Sequence, residues 1–444
     1  MPAGEPAVRG RGSRFPIDSG WPLAHHHAVM QDANHRADDR GQAVGAPGAG
    51  LLAAARELAV LFAQGAADRD RERRFPHAEL GAMKRSGILA LRVPAELGGP
   101  GGTVADYVRI VAILAEGDSS LAQMLITHTY GVDLLMKSQL APAERLVWAR
   151  RLVDDGLFVA NANTERGTKT IFDFKTTLTQ QADGSWLLDG TKFYSTGSGG
   201  GDVLYVSGRV TGAVAVEGRD LGTVRMTFLE RDTPGLVIHD DWRGMGQRTT
   251  ASGTTELHQV RVPAERCVPT DGFDGPDSLF ALIGQAGFAA VYAGNARAAL
   301  RAGIAYVRQS ARPWPHSGVE RAADDPYVLH HVGRLQTLVS ASDALLEKAA
   351  SAVERAELEP GAATRDAAAV AVSESKALST EVTLEVSSRI FEICGAGATV
   401  EKHGLDRFWR DARTLTVHDP VDYKYRLIGE WALNDVPPPV TSFI

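Results

Sequence analysis

The densest set of groups able to do chemistry lies in LDRFWRDARTLTVHDPVDYK (405–424), where three arginines, three aromatic residues and His418-Asp419-Pro420 fall within twenty residues. An imidazole with an ordinary pKa near ~6.5 exchanges a proton close to neutral pH, and a neighbouring carboxylate can orient it. The helix-breaking proline places the pair on a loop after a helix, where reacting groups are commonly presented. A second set is amide and hydroxyl. ANANTER (160–166) carries Asn161, Asn163 and Thr164, and TKFYSTGSG (191–199) places Tyr194 two residues before Thr196. Such groups need partners when buried, so they either cap turns and satisfy local backbone or face a planar polar ligand. His128, in the apolar stretch LITHTYGVDLL, reads either as a core residue or as a pocket group.

Other chemistries lack their signatures. There is no GxxxxGK[ST], HExxH or GxSxG. The glycine clusters GAGATVEKHG (395–404) and GSGGGD (197–202) follow a helical pattern and lie between two strand patterns, respectively, so neither opens a dinucleotide-binding helix. Cys267 and Cys394 are the only cysteines, which excludes a disulfide framework and a CxxC pair. His25, His26 and His27 sit in an irregular segment, and no metal site is expected. A net charge of −7 provides no cationic field for a phosphate backbone, so nucleic acid is not expected as a partner. No apolar run reaches the ~18–20 residues of a membrane span, and the first residues lack a signal-peptide layout. A cytoplasmic protein without a membrane partner is expected.

A chain of 444 residues allows about three structural units. Residues 1–48 mix Gly, Pro, Arg, Asp and His without a period, predicting a flexible extension. Residues 49–157 carry helical spacing, beginning with one amphipathic helix over LLAAARELAVLFAQGAADRDRERRF (51–75) and continuing with VADYVRIVAILAEG (104–117). From 158 to 272 the period shortens to two, predicting an antiparallel β domain with a hairpin turn at Asp189-Gly190. From 273 to 444 long helical patterns return, with Leu335, Leu338, Val339, Leu345, Leu346, Ala349 and Val353 on one face, predicting a bundle with a Pro-rich tail. The fold class is α+β, in the order α, β, α.

That order and five stretches resemble the acyl-CoA dehydrogenase superfamily: GILALRVPAELGGPGG (87–102), NTERG (163–167), DGTKFYSTGSGGGD (189–202), GMGQRTTASGTTELHQVRVPAERCV (244–268) and FEICGAGATVEKHGLDRFWRDART (391–414). The resemblance implies an acyl-CoA dehydrogenase-like fold, with a flavin between the β domain and the C-terminal bundle. Dehydrogenases of this family carry a catalytic glutamate seven residues after Arg-Asp-Ala; here the seventh residue after Ala412 is Asp419, shorter by one methylene, roughly 1.5 Å. The Arg-Gln-Phe-Gly segment used for the FAD diphosphate is replaced by Ala311-Arg312-Pro313-Trp314. These departures, with DDWRGMGQRTTASG (240–253), SARPWPHSGVERAADDPY (310–327) and NDVPPPVTSF (434–443), resemble the flavin-dependent monooxygenase branch.

Membership of that branch implies an oxidoreductase of the two-component kind. Reduced FMN, rather than FAD, comes from a separate NAD(P)H:flavin reductase and reacts with O2 to give a C4a-hydroperoxide, which oxygenates a small hydrophobic or heteroatom-containing molecule at sulfur, nitrogen or aromatic carbon. The resemblance places Thr196 by flavin N5, Tyr194 by the ring, Asn161 and Thr164 on its pyrimidine side, Trp242 and Ser252 on a bordering segment, and Arg312 at the phosphate. His418, Asp419 and His128 are the expected catalytic groups, Tyr130 and Tyr292 the pocket lining, and a homotetramer the expected assembly. Two alternatives stand beside this reading: an acyl-CoA dehydrogenase with Asp419 as base, and a flavin-free structural relative.

Overall fold

The computed structural model describes residues 47–168, 173–212, 224–270, 278–441 and 443–444. The chain from Pro47 to Ile444 forms one compact unit. Residues 1–46, including the three adjacent histidines, lie outside the described residues, and Pro47 and Gly48 already belong to the first helix. No single described helix is long and apolar enough to cross a membrane.

The first section is helical: α1 (Pro47–Ala63), α2 (Ala66–Glu72), α3 (His77–Arg85), α4 (Val104–Gly117), α5 (Ser119–Lys137) and α6 (Pro142–Asp154). The single helix expected over 51–75 is broken, because Gly65 takes a left-handed φ of 71° that ends α1 and starts α2. Helix α4 begins where Thr103 and Asp106 form a reciprocal capping box. Asp118 ends α4 and caps α5 by accepting the Ser120 N–H. This fixes α5, which carries His128 and Tyr130.

Among the described residues eight strands follow: β1 (Val159–Ala162), β2 (Thr177–Gln180), β3 (Trp186–Lys192), β4 (Val203–Val210), β5 (Val224–Glu230), β6 (Leu236–Ile238), β7 (Thr255–Val262) and β8 (Cys267–Pro269). They form one sheet in the order β6-β7-β3-β2-β4-β5-β8, with β1 also on β4. Most pairs are antiparallel as expected, but β1 and β2 both run parallel to β4. The long excursion between β1 and β4 supplies the crossover that parallel pairing requires. Strand β1 pairs with Val203–Val206 and β2 resumes at Arg209, which leaves a gap in one edge of β4, and the described residues 163–168 and 173–176 lie outside the sheet. Asn163 Oδ1 spans that gap by accepting the Ser207 N–H at 3.0 Å.

The hairpin turn expected at Asp189-Gly190 lies instead at Asp183-Gly184. There Gly184 has φ 84°, Gln181 N–H donates to the Ser185 carbonyl, and Asp183 accepts the Ser185 N–H. Asp189-Gly190 is inside β3 at a register shift against β7. A Cβ at Gly190 would come within 2.5 Å of Thr176 Oγ1, so the glycine serves a close approach within the sheet.

The last section holds α7 (Phe280–Gln309), α8 (Pro326–Leu358), α9 (Ala362–Cys394), α10 (Asp406–Thr416) and α11 (Asp422–Asn434). Leu335, Val339, Leu346, Ala349 and Val353 are buried along α8, as their spacing predicts. One continuous apolar core includes residues of α1, α4 and α5, of the sheet, and of α7, α8 and α9. The α+β class expected from the sequence, in the order α, β, α, is the observed one.

Candidate active site

Helix α10 stops at Thr416, and the His418 N–H closes its last turn on the Leu415 carbonyl at 3.0 Å. His418 and Asp419 therefore sit on the short link before α11. His418 Nδ1 lies 3.2 Å from Asp419 Oδ1. The same oxygen accepts a hydrogen bond from Lys376 of α9, whose ammonium group also donates to Gln285 Oε1 of α7. Lys424 of α11 lies 3.3 Å from Asp419 Oδ2 and donates to the Phe443 carbonyl at 2.7 Å. The carboxylate and both lysines are buried, whereas the His418 side chain is 45% exposed. Its ring packs on Phe288 at 4.7 Å and meets Phe443 edge-on at 6.4 Å.

The electrostatics follow from this burial. Burial works to raise the Asp419 pKa, but the His418 hydrogen bond and the two ammonium charges outweigh it and hold the carboxyl well below the usual range. Burial brings Lys376 down to about 8 despite the attraction of Asp419. Lys424 is lowered for the same reason.

The second set gathers at the sheet. Thr196 Oγ1 and Ser252 Oγ are 2.9 Å apart, Ser252 Oγ is 2.7 Å from Thr250 Oγ1, and Thr250 donates to the Gln247 carbonyl. The Trp242 indole N–H donates to that carbonyl at 2.9 Å. Tyr194 stands edge-on to Trp242 at 5.9 Å and is half exposed. Asn161 receives no hydrogen bond at Oδ1 among the described residues, although that oxygen is buried; its backbone N–H donates to Thr196 O. The Thr164 backbone carbonyl accepts the Phe193 N–H at 2.8 Å. Beside it the buried Lys192 donates to Glu165 Oε1 at 2.7 Å, to the Asn163 carbonyl at 3.1 Å and to Ser207. Of the six described non-glycine residues with positive φ, three are here: Tyr194, Gln247 and Ala251. Such conformations persist only where the surroundings impose them, and they concentrate at functional sites.

Helix α10 joins the two sets. Gly246 N–H donates to Thr414 Oγ1 at 2.8 Å and Gln247 N–H to Asp411 Oδ1 at 2.6 Å, while Ser119 donates to Asp411 Oδ2. The loop bearing Trp242 and Ser252 is thus docked on the helix whose end presents His418. A Cβ at Gly246 would fall 2.1 Å from the Arg410 carbonyl, so this docking admits only glycine there.

Two expected residues lie in the core and a third lies on the surface. His128 is fully buried: Nε2 is 2.7 Å from the Leu89 carbonyl, Nδ1 accepts the Val159 N–H at 3.0 Å, and the ring stacks on Phe158. Burial lowers its pKa to about 4. Both nitrogens are committed to tying α5 to neighbouring backbone, which corrects its expected catalytic place to a core one. Tyr292 is also core, donating to the Leu415 carbonyl at 3.0 Å, and so supports the end of α10. Arg312 is exposed on the turn after α7 and, among the described residues, shares no hydrogen bond with the Thr196 set. Tyr130 does reach the site's rear, with its ring 4.6 Å from Phe280 and its hydroxyl in the space a Gly284 side chain would fill, one residue from Gln285. Lys376, Gln285 and Lys424 were not foreseen.

Two family models match the chain: acyl-CoA dehydrogenase, N-terminal domain, over 51–138, and acyl-CoA dehydrogenase, C-terminal domain, over 286–423. The chain belongs to the acyl-CoA dehydrogenase family, in its flavin-dependent monooxygenase branch. It is 34% identical over 394 residues to the dibenzothiophene monooxygenase of Mycolicibacterium goodii, covering 86% of this chain and 92% of that one. It is 33% identical over 404 residues to a probable FMNH2-dependent monooxygenase, SfnC, of Pseudomonas putida, covering 89% and 98%. The solved structure of TdsC from Paenibacillus sp. A11-2 with FMN and indole is 32% identical, with a TM-score of 0.82 over 89% of this chain and 99% of that one.

Proposed function

We propose that this chain is the oxygenase of a two-component system, taking reduced FMN from a separate NAD(P)H:flavin reductase and using O2 to oxygenate a small hydrophobic or heteroatom-containing molecule at sulfur, nitrogen or aromatic carbon. The kind of enzyme, an FMN-dependent flavin monooxygenase, is that of its relatives. One observation carries the choice over dehydrogenation: Asp419, at the position where a dehydrogenase needs a free base, is ion-paired with Lys376 and Lys424 and turned toward His418. A carboxylate held that far below its ordinary pKa is a weak base for a carbon acid.

The residues fit a flavin. The unpartnered Asn161 Oδ1 suits a ring N–H donor, Trp242 and Tyr194 offer an aromatic wall, and the Thr196–Ser252 hydroxyls can donate to a ring nitrogen. When bound, reduced FMN supplies the electrons that activate O2. His418 holds or delivers a proton at Nε2, Asp419 orients it through Nδ1, and the apolar faces of Phe288 and Phe443 limit water. Arg312 is suited to the phosphate of FMN by its guanidinium fork.

The reading is tested by adding a flavin reductase, NADH and FMN in air, with dibenzothiophene or indole as probe. Oxygen-dependent product formation with FMN supports it. Turnover of an acyl-CoA with a dye acceptor, and none with reduced FMN and O2, would favour the dehydrogenase reading.

A further inference from the structure

We propose that Lys376 is a positioning residue for the His418–Asp419 pair: gripped between Asp419 and Gln285, it aims the carboxylate at His418 and sets the charge that the imidazole can carry. This rests on His418 being the proton-handling group.

Lys376 is on the helix at the centre of the C-terminal section, 43 positions before Asp419. Its side chain is 2% exposed, and burying an ammonium group is costly unless acceptors surround it. Here it has two acceptors, Asp419 and Gln285, and it also lies 5.3 Å from the Phe288 ring on which His418 packs. A plain structural ion pair needs one cation. This site has two, since Lys424 reaches the other carboxylate oxygen at 3.3 Å.

The groups around the His418–Asp419 pair can be taken element by element. Asp419 comes from its own link, Lys376 from α9, Lys424 from α11, and Gln285 and Phe288 from α7. The phenols of Tyr130 and Tyr292, kept neutral by burial, face Asp419 from α5 and α7. Phe443 closes one edge. Behind the carboxylate that touches Nδ1, two buried ammonium groups hold its two oxygens. Asp419, ionised, accepts from Nδ1, leaving the Nε2 lone pair for the exposed side. Lys376 is one of those two cations and shares Oδ1 with His418, so the aim of the carboxylate and the tautomer of His418 depend on it.

The test is acylation of His418 by diethyl pyrocarbonate in the full chain, followed by peptide mass spectrometry from about pH 5 to 9, since only neutral imidazole reacts. Lys376→Met should raise the His418 midpoint by about one pH unit, because a nearby like charge is removed. Lys376→Arg, which keeps the charge, should restore the wild-type midpoint. An unchanged midpoint in folded Lys376→Met would overturn the proposal. If Lys376→Met does not fold, Asp419→Asn is compared with Lys376→Met/Asp419→Asn, in which no lone carboxylate remains. A higher midpoint in the double variant supports the proposal, and equal midpoints overturn it. Because the measurement uses neither flavin nor substrate, its outcome is independent of whether the oxygenase reading holds.

Discussion

The carboxylate of Asp419 lies 3.2 Å from Nδ1 of His418 and is itself buried, while the imidazole it touches is nearly half exposed. One member of the pair is fixed by the core and the other faces outward. A charge secured in the bundle is thereby set against an exposed imidazole, which is the arrangement the proposed proton-handling role calls for.

Removing the outward member should separate oxygen use from oxygenation. In His418→Ala, FMN affinity is expected to stay within about twofold, while product yield falls at least tenfold and hydrogen peroxide accounts for the oxygen consumed. Peroxide and product assays in the coupled reductase system check this. Unchanged product yield would remove His418 from the mechanism.

Removing the inward member should affect stability first. Asp419→Ala leaves Lys376 and Lys424 buried without their shared anion, and loss of one partner from such a set costs about 3–5 kcal/mol. Urea unfolding of Asp419→Ala beside Asp419→Asn measures it, with the amide expected to lose less because it can still accept a hydrogen bond. The sign with pH is fixed by the depressed folded pKa: this stability is present above the unfolded value of ~3.9 and is lost as pH falls through the folded value.

His128 acts at higher pH and by a different route. Folded, its pKa is about 4 rather than 6.5, so between those values the unfolded chain takes a proton that the folded chain refuses. Stability falls by about 3 kcal/mol as pH drops from 6.5 to 4. Asp411, raised to about 7 by burial, changes stability in the opposite sense over much of that range. The His128 contribution is therefore read from the difference between the wild type and His128→Asn, in which the amide oxygen can replace Nδ1 as acceptor for the Val159 N–H. A difference constant across this range would contradict the assignment.

Arg312→Ala is expected to weaken FMN binding about tenfold through loss of a charge-assisted phosphate contact, without changing unfolding. Quenching of flavin fluorescence measures this. Equal affinity for the variant and wild type would exclude Arg312 from the phosphate site.

The order of helices and sheet, and the pairing of His418 with Asp419, were legible because each is written in local spacing: periods of 3.6 and two, and a His-Asp-Pro run after a helical pattern. Lys376 was not, because its partners come from residues 285 and 419 and no local pattern joins them. A signal did exist. Along α9 the stripe Val372, Lys376, Ser379, Thr383, Val386 and Ile390 is apolar or small except for the lysine, and all six are buried. A single charge in such a stripe needs an opposite charge. His128 was ambiguous for the same reason, since its two partners are backbone groups of Leu89 and Val159. Of the Asp-Gly pairs at 183–184 and 189–190 only the first turns the chain, and the distinction depends on Thr176 packing over Gly190.

The proposed activity is transfer of an oxygen atom from O2 to a bound molecule. The direct measurement is a single turnover with the full chain, stoichiometric reduced FMN and 18O2, using dibenzothiophene and indole as probes and mass spectrometry of the products. One 18O atom per product molecule from at least one probe is the predicted result. All of the label in hydrogen peroxide and none in either product would contradict it.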